Sequence, residues 1–219
     1  MHCDSWQPMW EAALAACDRM GGETTPLIIE PPAPEREVQE IERTLGQPLP
    51  SAFRTVLTSF SREVSFSWYL PEEKELPEPL RGIFSGGCNW SLASLTGLDE
   101  RCGSWAKACF PNPNDTYDRV WYNKFPFLAV PNGDYMAIDL DAGKRSPVVY
   151  LSHDGGSGHG LELGEDFIDF VNRWSQMGCP GAEDWQWLPF SSEASSFIDP
   201  ECPNAILWRK WFGLRIAET

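Results

Sequence analysis

The chain changes its hydrophobic period partway along, and that change restricts its possible folds more than any other feature. From Glu35 to Leu45, Val38, Ile41 and Leu45 recur three and four residues apart, and Gly46 stands at the expected stop of a helix. After Gln47-Pro48-Leu49 comes Pro50, a residue that a first helical turn tolerates. Phe53, Val56, Leu57 and Phe60 then follow at i, i+3, i+4 and i+7. Beyond this helix pair the period drops to two. Val64, Phe66, Trp68 and Leu70 alternate with Glu63, Ser65, Ser67 and Tyr69, as in a half-buried strand.

The two-residue period returns further along. Residues 125–130 form an apolar strand, Asn132-Gly133 supplies a tight turn, and residues 135–140 run back with Met136, Ile138 and Leu140 on one face. Ala137 and Asp139 take the other face. DAGKRS turns again before a third strand at 147–151, which completes an antiparallel meander. A further strand is expected at 81–90, weakened by Gly86-Gly87, with a loop and helix over 91–109. Phe167, Phe170, Val171 and Trp174 mark a later helix, closed by Gly178. Helices, then antiparallel strands, then helices give an α+β fold: a twisted antiparallel sheet with helices packed mainly on one side.

Three regions are expected. Residues 1–33 carry a helix with Trp6, Trp10, Ala13, Leu14 and Cys17 at helical spacing, then a proline-dense extended connector. Residues 34–178 form the α+β core. Residues 179–219 form a Trp-rich extension with a short helix around 205–212 that packs on the core.

Composition removes several function classes. The 17 basic residues against 32 acidic ones give a net charge of −15, which repels phosphate backbones and anionic membranes. No apolar run approaches the roughly 18 residues of a membrane span, and the first twenty residues lack the basic start and apolar block of a secretory signal. A cytoplasmic location is expected. The seven cysteines are scattered and none forms a close pair, so reduced thiols are expected rather than disulfides or a zinc site.

At this point the residues carry a resemblance. Ile41-Glu42, Leu45-Gly46-Gln47-Pro48-Leu49-Pro50, Phe53 and Leu57 resemble the opening helix pair of the SUKH superfamily, which includes the yeast cell-wall regulators of the Smi/Knr type. Phe125-Pro126-Phe127-Leu128, Asn132-Gly133-Asp134 and Ile138-Asp139-Leu140 resemble its central strands. The run from Pro147 through Tyr150 to Asp154, and Phe167-Ile168-Asp169-Phe170-Val171, are similar to its next strand and closing helix. The blocks keep the family's order over about residues 34–175. Ser61-Arg62 departs from the asparagine-glycine helix end common in the family. The resemblance implies a protein-binding domain without general catalytic motif. Its bacterial members are often immunity proteins that neutralise polymorphic toxins, many of them nucleases. Its eukaryotic members are regulatory or scaffold components.

Catalytic and metal readings of individual residues are outweighed by structural ones. Ser152-His153-Asp154 holds three residue types of a hydrolytic relay, but on a strand His153 faces away from the other two. The run Gly155-Gly156-Ser157-Gly158-His159-Gly160 lacks the lysine of a phosphate loop and precedes Glu165-Asp166, which disfavour phosphate. His153 with His159, or Asp134 with Asp139 and Asp141, lack the donor number of a metal site. No catalytic residue, cofactor or metal is therefore expected. The partner is expected to be a basic protein, with a toxin domain the leading reading and an endogenous partner of a scaffold the other. Candidate contacts are Glu72, Glu73 and Glu75 (with Glu78) in the loop after residue 70, Asp115, Tyr117 and Asp118 in a turn-rich insert, and Asp139 and Asp141 on an outward side. Trp68, Tyr69 and Trp121 join Tyr117 as possible aromatic anchors, with burial in the core the competing reading.

Overall fold

Alternating residues become strands where they find a layer to bury. The computed structural model describes residues 2–141, 145–191 and 197–214. The turn expected between Asp141 and Pro147 lies partly outside them.

The N-terminal helix α1 (Trp6–Arg19) leads into a sheet edge made of two pieces, β1 (Glu23–Thr24) and β2 (Ile28–Ile29). Helices α2 (Glu35–Leu45) and α3 (Ser51–Ser59) follow, joined by an elbow in which Gly46 adopts φ +71°. Glu42 stitches this elbow: its Oε1 accepts the Leu49 N–H and the Arg54 Nε–H, both at 3.0 Å. Pro50 precedes α3 at its N-cap rather than opening its first turn.

Strand β3 (Glu63–Tyr69) is the centre of the first sheet. The two edge pieces pair with one side of it and β4 (Ser85–Ser91) with the other, all antiparallel. The connector expected before the core is therefore a paired edge. Val64, Phe66 and Trp68 point inward, as their alternation requires. The strand expected from residue 81 starts only at Ser85, and its glycines fit the sheet instead of weakening it. A Cβ at Gly86 would come 2.2 Å from the Trp68 ring and 2.2 Å from the Cys179 carbonyl oxygen.

After α4 (Leu95–Cys109) comes the second sheet, in which β5 (Lys124–Ala129), β6 (Tyr135–Asp139), β7 (Val148–Leu151) and β8 (Glu162–Gly164) pair in sequence order. The first three strands are the expected meander, with Gly133 at φ +102° in its first turn. Strand β8 was not expected. It has three residues, too few to show a period, and is fixed from outside: a Cβ at Gly164 would meet the Phe170 backbone at 2.6 Å. Helix α5 (Phe167–Gln176) starts at Asp166, whose carboxylate caps the Asp169 N–H at 2.9 Å.

The two faces of this sheet are both covered. Met136, Ile138, Val148 and Tyr150 join the main core with Phe53 of α3 and Phe167 of α5. The opposite face, with Ala137, Val149 and Leu151, packs under Cys102 and Ala106 of α4. Helix α4 is thus the exception to helices on one side. It also overturns one expectation: Asp139 is on this covered face and is buried, not turned outward.

Both extensions enter the main core. Trp6 and Trp10 are fully buried, and the Trp10 indole donates to Ser175 Oγ of α5 at 2.8 Å. At the other end, α6 (Asp184–Trp187) and α7 (Pro203–Phe212) bury Trp187, Trp208 and Phe212. The Trp208 indole donates to the Met177 carbonyl at 2.7 Å, and Phe212 lies 4.8 Å from the Trp68 ring. No helix among the described residues is long and apolar enough to cross a membrane. None of the seven cysteines is in a disulfide, and only Cys109 is exposed.

Candidate functional site

The residues that most resemble catalytic machinery gather where β6, β7 and the loop from Ser152 to Gly160 meet. Asp134 lies at their centre with 1% exposure. Its Oδ1 accepts the His153 backbone N–H at 2.8 Å and the His153 ring nitrogen Nδ1 lies 2.6 Å away. Its Oδ2 accepts from Asn132 Nδ2 at 2.8 Å and from the Tyr150 hydroxyl at 2.7 Å. A carboxylate has about four acceptor positions, so Asp134 is saturated. Burial, and then the bond to Asp134, push the Tyr150 phenol well above its ordinary pKa, which keeps it a donor.

Strand β7 ends at Leu151, so the alternation expected to turn His153 away does not extend over this triplet, and a His153 ring nitrogen lies within 4.8 Å of an Asp154 oxygen. Ser152 Oγ donates to Asp154 Oδ1 at 2.8 Å and accepts the Gly156 N–H at 3.0 Å. The serine hydroxyl thereby holds the Asp154 carboxyl below its ordinary pKa. His153 serves Asp134 instead, so a Ser–His–Asp relay is not formed. His159 accepts the Ser152 N–H at Nδ1 (3.0 Å) and meets the Tyr117 carbonyl at Nε2 (3.0 Å). That pairing requires the neutral Nε2–H tautomer, and burial lowers the His159 pKa in keeping with it.

One oxygen each of Asp134 and Asp154 and one ring nitrogen of His153 lie within 4.8 Å of one another. A cation there would have to break the bonds that already fill Asp134. The loop amides are engaged as well. Gly155 N–H donates to the Tyr117 hydroxyl at 2.9 Å, and Gly158 N–H to the buried Asp184 carboxylate at 2.8 Å. A Cβ at Gly158 would meet Asp184 at 2.6 Å. The glycines of this loop permit close packing; they do not leave a ring of free amides for phosphate.

The expected contact residues divide. Asp139 is buried against Lys124, with Nζ 3.2 Å from Oδ1, because α4 covers the face that the sequence reading left to solvent. Asp141 is exposed and accepts from Asn123 Nδ2 at 2.7 Å. Asp115 caps its own turn, taking the Tyr117 and Asp118 amides at 2.8 and 3.1 Å, and Asp118 takes the Asn112 amide at 2.9 Å. Tyr117 is half-buried and stacks on His159 with ring centres 3.8 Å apart, so it anchors the loop. Trp68 and Trp121 are buried in the cores.

The expected acidic contacts of the β3–β4 connection are also exposed. Glu72, Glu73 and Glu75 are exposed, and among the described residues their carboxylates take no ion pair or hydrogen bond. Glu78 is ion-paired with Arg81. Tyr69, at the end of β3, is 48% exposed and pairs with Ser85. Phe84 is 48% exposed and Trp185 of α6 47%. Gln186 Oε1 binds the Phe84 and Ser85 amides at 3.1 Å, which brings α6 against this connection. A Cβ at Gly82 would lie 3.4 Å from the Trp185 ring. The β3–β4 connection and the α6 helix against it therefore carry three half-exposed rings, and the same connection carries three unpaired carboxylates. Phe84 and Trp185 carried no sequence signal, because neither belongs to a periodic run.

In comparison with known proteins, residues 32–173 match the model of the SMI1 / KNR4 family (SUKH-1). No curated protein matches the chain.

Proposed function

The chain belongs to the SMI1 / KNR4 family (SUKH-1), and on that premise we propose that it is a non-catalytic protein-binding domain that acts as an immunity protein. It occludes a basic toxin domain, of the nuclease kind, by one-to-one binding. The observation that carries this reading is the face at the β3–β4 connection. The connection and the helix against it present aromatic rings that a partner can desolvate, and the connection also bears carboxylates that can steer one. The net charge of −15 favours encounter with a basic surface and disfavours nucleic acid itself. The family also includes regulators, so an endogenous basic partner would use the same face.

The test is co-expression with the product of the neighbouring gene, read as growth rescue and as a purified complex. Wild type is expected to rescue and to co-purify. Trp185→Ala is expected to weaken the complex at least about tenfold, as an aromatic hot spot does. Absence of any complex with that product would remove the immunity reading and leave the regulator.

A further inference from the structure

A groove of about 480 Å³ opens at the other end of β3, between α2 and the turn that follows β4. Its floor is apolar, made by Ile41 of α2 with Leu92 and Ala93 of the turn. Its rim carries Glu30, Glu37, Glu40 and Glu63 against a single cation, Arg62. Four carboxylates and one guanidinium leave three negative charges without a counterpart in the lining.

The one guanidinium is already shared. Arg62 Nη2 lies 3.2 Å from Glu30 Oε2 and its Nη1 3.7 Å from Glu37 Oε2. Among the described residues the Glu63 carboxylate receives only the Ser91 hydroxyl, at 2.9 Å. The Glu40 carboxylate takes no ion pair or hydrogen bond among the described residues. Glu37 is three residues from Glu40 and four from Ile41 on α2, so the three share one side of that helix. An apolar floor under a carboxylate rim suits one kind of side chain, a long aliphatic stem that ends in a cation. An acidic or purely apolar segment would meet like charge or leave the rim unpaired.

We propose that this groove seats an arginine or lysine side chain from a basic segment of the partner protein, the stem on Ile41 and Leu92 and the cation among the rim glutamates. The proposal rests on the reading of a basic partner but concerns a surface separate from the β3–β4 connection. The probe is a fluorescein-labelled hexaarginine peptide, titrated into the full chain at low salt and read by anisotropy. Glu40→Gln/Glu63→Gln removes two rim charges. Ala93→Phe fills the groove and leaves the charge untouched, with Ala93→Leu in its place if the larger ring prevents folding. Glu72→Gln/Glu73→Gln removes two charges at the other face and serves as the reference.

Both groove changes are expected to weaken binding at least fivefold, and the reference less than twofold, with all variants melting as folded proteins. The proposal is overturned if wild type does not bind the peptide, if the groove pair loses no more than the reference pair, or if the filled groove binds like wild type. Growth rescue is read separately. A groove that seats hexaarginine in a chain that rescues no toxin would stand without the immunity role, and the converse result would remove the groove alone.

Discussion

Lys124 and Asp139 are direct cross-strand partners on β5 and β6, and both side chains are almost wholly removed from water. Two charges desolvated together cost several kcal/mol each, and their attraction offsets that only while both are present. Lys124→Met would take the ammonium 3.2 Å from Oδ1 away from the buried Asp139 carboxylate. A loss of roughly 3–5 kcal/mol is expected in urea unfolding, as for other broken buried pairs. Asp139→Asn should cost less than that, because an amide is neutral and can still accept the Asp141 N–H that Asp139 now takes at 3.0 Å. The double change should cost less than the sum of the two, since neither charge is then left alone. Equal, additive losses would show that the ion pair is not the interaction being removed. This pair also marks where sequence reading stopped. The alternation correctly placed Asp139 opposite Met136 and Ile138. Which face met solvent depended on α4, forty residues earlier, and a period of two carries no information about that.

At the scale of elements, periodic runs were legible and contacts between elements were not. The helix pair, β3 and the β5–β7 meander each announce themselves by spacing, because one face of each is buried along its whole length. Strands β1, β2 and β8 have two or three residues and owe their place to a neighbour. The glycines of β4 were read as weakness because local propensity disfavours glycine in strands, while the reason for Gly86 is the Trp68 ring lying across it. The contrast gives a paired prediction. Gly86→Ala is expected to destabilise by about 1–3 kcal/mol, the cost of overpacking a filled core. Gly103→Ala, in the interior of α4 with open space around the added carbon, is expected to stabilise by about 0.5–1 kcal/mol through helix propensity alone. Urea midpoints for the two variants should move in opposite directions. A neutral Gly86→Ala would mean that both the Trp68 ring and the Cys179 backbone can give way.

The whole molecule is larger than the family match. That match spans residues 32–173, and a sequence-level division likewise set residues 1–33 and 179–219 apart as extensions. The core does not respect either boundary. Among the described residues, twelve large side chains are fully buried, and six of them (Trp6, Trp10, Trp187, Phe190, Trp208 and Phe212) lie outside 32–173. The tryptophan spacing in α1 was readable as an amphipathic stripe, but its target, Asn172 and Ser175 on α5, is some 165 residues away. Removing one such ring typically costs about 3–5 kcal/mol, and whole domains are stable by only about 5–15 kcal/mol. A chain cut to residues 32–173 loses six, together with both pieces of the β1–β2 edge of the first sheet. It is therefore expected to lack a cooperative thermal transition and to bind a hydrophobic dye, where the full chain melts sharply. Trp10→Ala in the full chain should reproduce part of that loss, with a melting temperature lowered by well over 5 °C for a cost of this size. A fragment 32–173 that melts cooperatively near the full chain's temperature would show that the terminal segments are ornaments on an independent domain, and the single shared core described above would be wrong.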